Sequence, residues 1–147
     1  MTAALAVTAV QAQTTQDHVH KMSHDIMPFD MAKTLHVFKM TESGGVERVV
    51  VRDPKDQAQI GLIRQHLKRE AGNFKQGNYS DPAKLHGATM PGLKELQAGS
   101  ARVAVSYREI PTGAEIVFET EDLSLLTALH RWFGAQLSEH GADAKAE

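Results

Sequence analysis

The sequence predicts an α+β fold of two successive β-hairpin–helix units, ββαββα. Its four strands should form one antiparallel sheet with both helices packed on one face. Three observations lead there. Four short stretches alternate apolar and polar residues with the period of a strand. Turn chemistry joins them in pairs. After each pair, apolar residues recur at helical spacing.

The first unit begins near Lys33. TLHVFKM (34–40) alternates Leu35 and Val37 against His36, Phe38 and Met40. ESGG supplies a turn, and VERVVVR (46–52) returns as a partner rich in β-branched residues. Asp53 and Pro54 then read as N-cap and first residue of a helix. Ile60, Ile63, Leu67, Ala71 and Phe74 form its apolar face, and Gly77 lies beyond its end.

The second unit repeats the order. ARVAVSY (101–107) alternates Val103, Val105 and Tyr107 with polar neighbours, IPTG turns the chain, and AEIVFET (114–120) returns. A helix follows from about Asp122 to His140, with Leu126, Leu129, Phe133 and Leu137 on one face and Gly141 at its end. The repeats are thus residues 33–77 and 101–141 of a single domain, 33–147, joined by a loop at 78–100. Pairing Ile63 with Leu126 and Phe74 with Leu137 aligns their apolar faces, an arrangement that suggests internal duplication. Neither hairpin can bury its apolar face alone, hence one shared sheet.

Composition removes several function classes. The chain has 147 residues, 41% of them hydrophobic and 23% charged, enough for one ordinary domain. A net charge of −2 with both signs scattered, and aromatics at 5%, argue against nucleic acid as a partner. Cysteine is absent, which excludes disulfides, thiolate metal sites and cysteine nucleophiles. No G-x-S-x-G, H-E-x-x-H, P-loop or dinucleotide-binding motif occurs. No apolar run approaches the ~20 residues of a membrane span, so stable insertion is not expected. Residues 1–12, MTAALAVTAVQA, read as a truncated signal peptide cleaved before Gln13, which places the protein in the periplasm.

Candidate ligands concentrate in a tail at 13–32. DHVHKMSHDIMPFDM (17–31) holds three of the eight histidines and three of the six methionines. Imidazole suits copper, zinc, nickel and iron, and thioether sulfur selects Cu(I). The tail therefore offers His18, His20, Met22, His24 and Met27. It shows no obvious periodicity, so it is expected to order only around a metal. A second pair, His86 and Met90, lies in the Gly- and Pro-rich segment HGATMPG of the joining loop. His130 falls inside the apolar face of the second helix, where it needs a hydrogen-bond partner or a metal. His36 shares a strand face with Phe38 and Met40, His66 flanks its helix, His140 sits at a fraying end, and Trp132 reads as edge packing.

The segments HDIMPFDMAKTLHVF, IRQHLKREA, HGATMPGL and ALHRWFGAQLSEHGAD resemble a group of small exported bacterial proteins of unknown role. That group is associated with the name aspartate carbamoyltransferase. A catalytic chain of that enzyme is about twice as long, with two domains and a Ser-Thr-Arg-Thr phosphate-binding segment that this chain lacks, so the name is rejected. The resemblance implies export and a shared fold, and brings no catalytic residues.

The expectation is a periplasmic metal-binding protein, copper first and zinc second. It holds its ion between the tail and the loop, through His86, Met90 and one of His18 to His24, with His130 in reach. Three alternatives stay open. One is a haem or small-ligand binder, another a small metal-dependent enzyme, and the third a structural domain whose tail is incidental. A homodimer or a periplasmic partner protein is also left open.

Overall fold

A computed structural model describes residues 17–147. The export signal read at 1–12 and the first four residues of the tail lie outside the described residues. Helix α1 covers residues 17–26. There follow β1 (Thr34–Met40), β2 (Gly44–Val51), α2 (Gln57–Lys75), α3 (Ser80–His86) and α4 (Leu93–Ala98). Then come β3 (Ala104–Ile110), β4 (Gly113–Glu119), α5 (Leu123–His140) and β5 (Ala144–Ala146).

The architecture is α+β around one five-stranded mixed sheet of order β3-β4-β2-β1-β5. The four expected strands pair antiparallel, with the second strands of the two hairpins adjacent at the centre. The four-stranded, wholly antiparallel sheet is corrected by β5, which lies parallel to β1. Polar AKA gave no strand signal. The Glu147 amide donates to the Phe38 carbonyl at 3.0 Å, and its carboxylate meets Arg48 at 2.7 Å and Lys39 at 3.6 Å.

Both long helices cover the same face of this sheet. Phe38 of β1 meets Phe133 of α5 (centroids 5.2 Å apart), and Phe118 of β4 meets both Phe74 of α2 and Trp132 of α5. The predicted face of α2 is buried throughout, but His66 and Glu70 are buried with it. The face of α5 is turned from the expected one. Leu125, Ala128, Leu129, Trp132, Phe133, Gln136 and His140 are buried, whereas Leu126 and Leu137 are only half-buried. Trp132 is fully buried and central, because Phe74, Tyr79 and Phe118 surround it.

Three local expectations change. Helix α2 starts at Gln57, with Asp56 as the N-cap accepting from the Gln59 amide. Asp53 accepts from the Lys55 amide at 3.0 Å and closes a turn around Pro54 instead. The joining segment 78–100 is mostly helical, as α3 and α4, with HGATMPG as the link between them. Residues 17–26 of the tail form helix α1, in a stretch where the sequence shows no obvious periodicity. Val19, Met22, Ser23, Ile26 and Met27 face inward at helical spacing, and Val19 is 2% exposed.

Gly92 fixes where the link meets α5. Its φ is 80°, and a Cβ there would lie 2.0 Å from the Ala128 carbonyl oxygen. Gly87 has φ 97° but faces open space. Gly92→Ala is therefore expected to lower stability by at least about 1 kcal/mol and by more than Gly87→Ala. Urea midpoints of the two variants check this, and equal losses would show that backbone strain alone matters.

Candidate functional site

Polar residues stand in phase with the apolar faces of four elements, and the fold brings them together. On β1, His36 shares its face with buried Thr34 and Phe38. On β2, Glu47 shares the face of Val49 and Val51, and registers between Phe38 and Ile116. On α2, His66 and Glu70 alternate with Ile63, Leu67 and Phe74. Gln136 and His140 extend the buried stripe of α5 by one and two turns beyond Trp132. His86 arrives from the end of α3, and Met27 and Ile26 from the end of α1.

These side chains line a cavity of about 50 Å³ on the covered face of the sheet. The His36 and His140 rings stack at 4.8 Å with 15° between planes, and His86 stands edge-on to His140 at 4.9 Å. Phe29 packs against His36 and His66. A shallower surface groove lined by Met22, Asp25, Arg69 and Lys84 shares Ile26 and Asp81 with the cavity.

Few of the buried polar atoms find partners in the protein. Nδ1 of His36 and of His140, Glu47 Oε2, Glu70 Oε1, Gln136 Nε2, Trp132 Nε1 and the Tyr79 hydroxyl have none. His86 Nδ1 lies 2.7 Å from Glu139 Oε2, but both atoms lack the angle of a hydrogen bond. His66 Nδ1 is 3.0 Å from Arg69 Nη2. Buried polar groups in proteins are almost always satisfied, by the protein, by ordered water or by a bound ligand.

Burial sets the protonation states. Desolvation, with repulsion from His66 and His86, lowers His36 to about 3. His140 is pushed well below its usual range by desolvation, then by His36 and His86. Desolvation and Arg69 bring His66 to about 4. Burial raises Glu47 to about 7. Desolvation raises Glu70 to about 8, helped by a hydrogen bond to Asp81 and that group's charge. At neutral pH the imidazoles are neutral, with ring nitrogens free to act as donors or ligands.

The predicted site residues divide. Of them, His86 and Met27 line the cavity, and Met22 packs half-buried against the core. His18, His20 and His24 lie on the outer side of α1. Met90 is buried but lines a separate pocket with Thr89, Pro91 and Arg131. His130 Nε2 is 2.7 Å from the Gly44 carbonyl oxygen, a bond that ties α5 to the start of β2. The shared tail-and-loop site is thus not assembled. His36, His66 and His140 stand where it was expected, joined by Glu47, Glu70 and Gln136, which sequence reasoning did not single out. Among the described residues no group of three or more His, Cys, Asp or Glu side chains is arranged, as it stands, to hold a metal ion. No described helix is long and apolar enough to cross a membrane. No protein-family model matches the chain, and no curated protein or solved structure matches it at a significant level.

Two outcomes follow for the metal-free protein. Glu47 and Glu70 keep protons that the unfolded chain has released above its usual carboxyl value of 4.5, so they cost stability as pH rises toward about 7 and 8. His36, His66 and His140 refuse protons that the unfolded chain takes up below 6.5, so they cost stability as pH falls. Thermal unfolding is expected to show maximal stability at about pH 6, with losses on both sides. Glu47→Leu should raise stability at pH 8 by about 1–3 kcal/mol, since it removes a desolvated group without a partner. A loss of that size would instead show that Glu47 holds the core together.

Proposed function

We propose that this protein binds a copper ion in its core, through the imidazoles of His36, His86 and His140. The observation that carries the reading is the packing of these three rings, His36 and His86 each with a centroid less than 5 Å from that of His140, beside a cavity that all three residues line. Rotation about the bond to each ring turns either nitrogen inward, so a shared ion needs side-chain adjustment and no change of backbone.

Three features favour this over a packing role. A satisfied core histidine carries a hydrogen bond, as His130 does, whereas Nδ1 of His36 and of His140 has none. Glu139 Oε2 lies 2.7 Å from His86 Nδ1, so a side-chain rotation that aligned the two would make it an orienting carboxylate, the usual outer partner of a metal-bound imidazole. The cavity, at about 50 Å³, suits an ion and its immediate ligands. Organic ligands and haem need pockets of roughly 300 Å³ or more.

The donors favour copper over zinc. Met27 lines the cavity alongside the histidines, and thioether sulfur selects the soft Cu(I) ion. Imidazole and thioether carry no charge, and a monovalent ion costs less to bury among neutral donors than a divalent one. His66 supplies a further imidazole on the same wall. The reading is one of binding and handling, with no reaction assigned.

The test is Cu(I) competition against a chromophoric chelator, with elemental analysis of protein purified without a histidine tag. Wild-type protein should hold one equivalent. His36→Leu, His140→Leu and His86→Ala should each weaken it by at least about tenfold, while His130→Ala and Met90→Leu leave it unchanged. Retention of copper by all three cavity variants would overturn the reading. Zinc in place of copper would keep the site and change its ion.

A further inference from the structure

The outer side of α1 carries a second arrangement of imidazoles that the core site does not use. His20 and His24 are one helical turn apart, with ring centroids 5.6 Å from each other and planes at 87°. Residues at this spacing lie on one face of a helix, where two imidazoles reach a common ion from outside. His20 Nδ1 is 3.1 Å from Asp143 Oδ2, a residue 123 positions away in the turn that follows α5. If His20 donates from Nδ1, its Nε2 carries the lone pair and is directed away from the carboxylate. A carboxylate behind an imidazole in this way fixes the tautomer and orientation of a metal ligand. Half of the His20 side chain is exposed while Asp143 is 21% exposed, so the ligand faces solvent and its orienting partner is held against the protein.

We infer that His20 and His24 form a second, surface metal site for a divalent cation of intermediate softness, such as Zn²⁺. Water completes its coordination. Asp143 acts from behind His20 as a positioning residue. The consequence lies in where the site sits. The His20–Asp143 contact joins the start of the described chain to its end, and the opposite side of α1 contributes Ile26 and Met27 to the cavity wall. A cation held by His20 and His24 strengthens the Asp143 contact and keeps α1 against the body of the protein. The surface site is therefore a clasp on the element that covers the core cavity. It stands independently of what that cavity binds.

Zn²⁺ alone is the probe, titrated calorimetrically into the full chain, with amide exchange of residues 17–27 followed in parallel. Wild-type protein and the cavity variant His36→Leu/His140→Leu should both bind a surface equivalent that slows exchange across 17–27. His20→Ala and His24→Ala, both at exposed positions, should weaken that equivalent at least about tenfold and abolish the slowing. Asp143→Asn should weaken it less than either histidine change. Zinc binding unaltered in His24→Ala would overturn the site. Binding that leaves exchange at 17–27 unchanged would overturn the clasp. Loss of copper binding in the cavity variants does not enter either result, so the two sites fail separately.

Discussion

Taking an imidazole or a carboxyl group out of water without a hydrogen bond costs roughly 1–3 kcal/mol each. This protein does so with atoms of His36, Glu47 and His140 on the one face of its sheet that both long helices cover. His36, Glu47, His66, Glu70, Gln136 and His140 occupy positions where the fold's own periodicity calls for apolar side chains. The cost is carried by what surrounds them. Phe38, Phe74, Phe118, Trp132 and Phe133 form a continuous aromatic cluster on the same sheet face, and aromatic burial is the largest single contribution a small core has. The cavity lies beside Phe74 and Trp132 of this cluster, with Ile26 of α1 and Leu85 and His86 of α3 among its lining residues. An apolar core of the same shape would be more stable.

The elements that cover the cavity were the least legible. Strands β1 to β4 and the existence of both long helices follow from alternation and helical spacing, because burial on one face imposes those periods on the sequence. Helix α1 obeys the same rule through Val19, Met22, Ser23, Ile26 and Met27. Its histidines and methionines drew the reading toward ligand composition and away from spacing. Helices α3 and α4 are short, and Gly87 to Gly92 between them reads as a loop, which it is. Strand β5 exists because Glu147 and Lys145 find partners on β1 and β2, a tertiary effect with no local signal.

The site itself was partly visible. His86 and Met27, candidate ligands by sequence, line the cavity, and so do His36, His66 and His140, whose sequence positions read as strand face, helix flank and helix end. What identifies them is phase: each stands within an apolar face and breaks its chemistry without breaking its period. Glu47 in phase with Val49 and Val51, and Glu70 in phase with Leu67 and Phe74, carry the same signal. Single helices or strands do not reveal that interruptions on four elements meet. Only the pairing of β1 with β2 and the packing of α2 and α5 across them does that. His130 shows the limit of the signal, since it interrupts an apolar face equally well and is answered by the Gly44 carbonyl.

The central claim is that the buried polar cluster exists to hold an ion. Anomalous diffraction from crystals grown with copper, recorded on both sides of the copper edge, tests it most directly. A peak is predicted within the cavity, at bonding distance from nitrogen atoms of at least two among His36, His86 and His140. A cavity without an anomalous peak, whose histidine nitrogens are instead met by ordered water or by one another, would contradict the account.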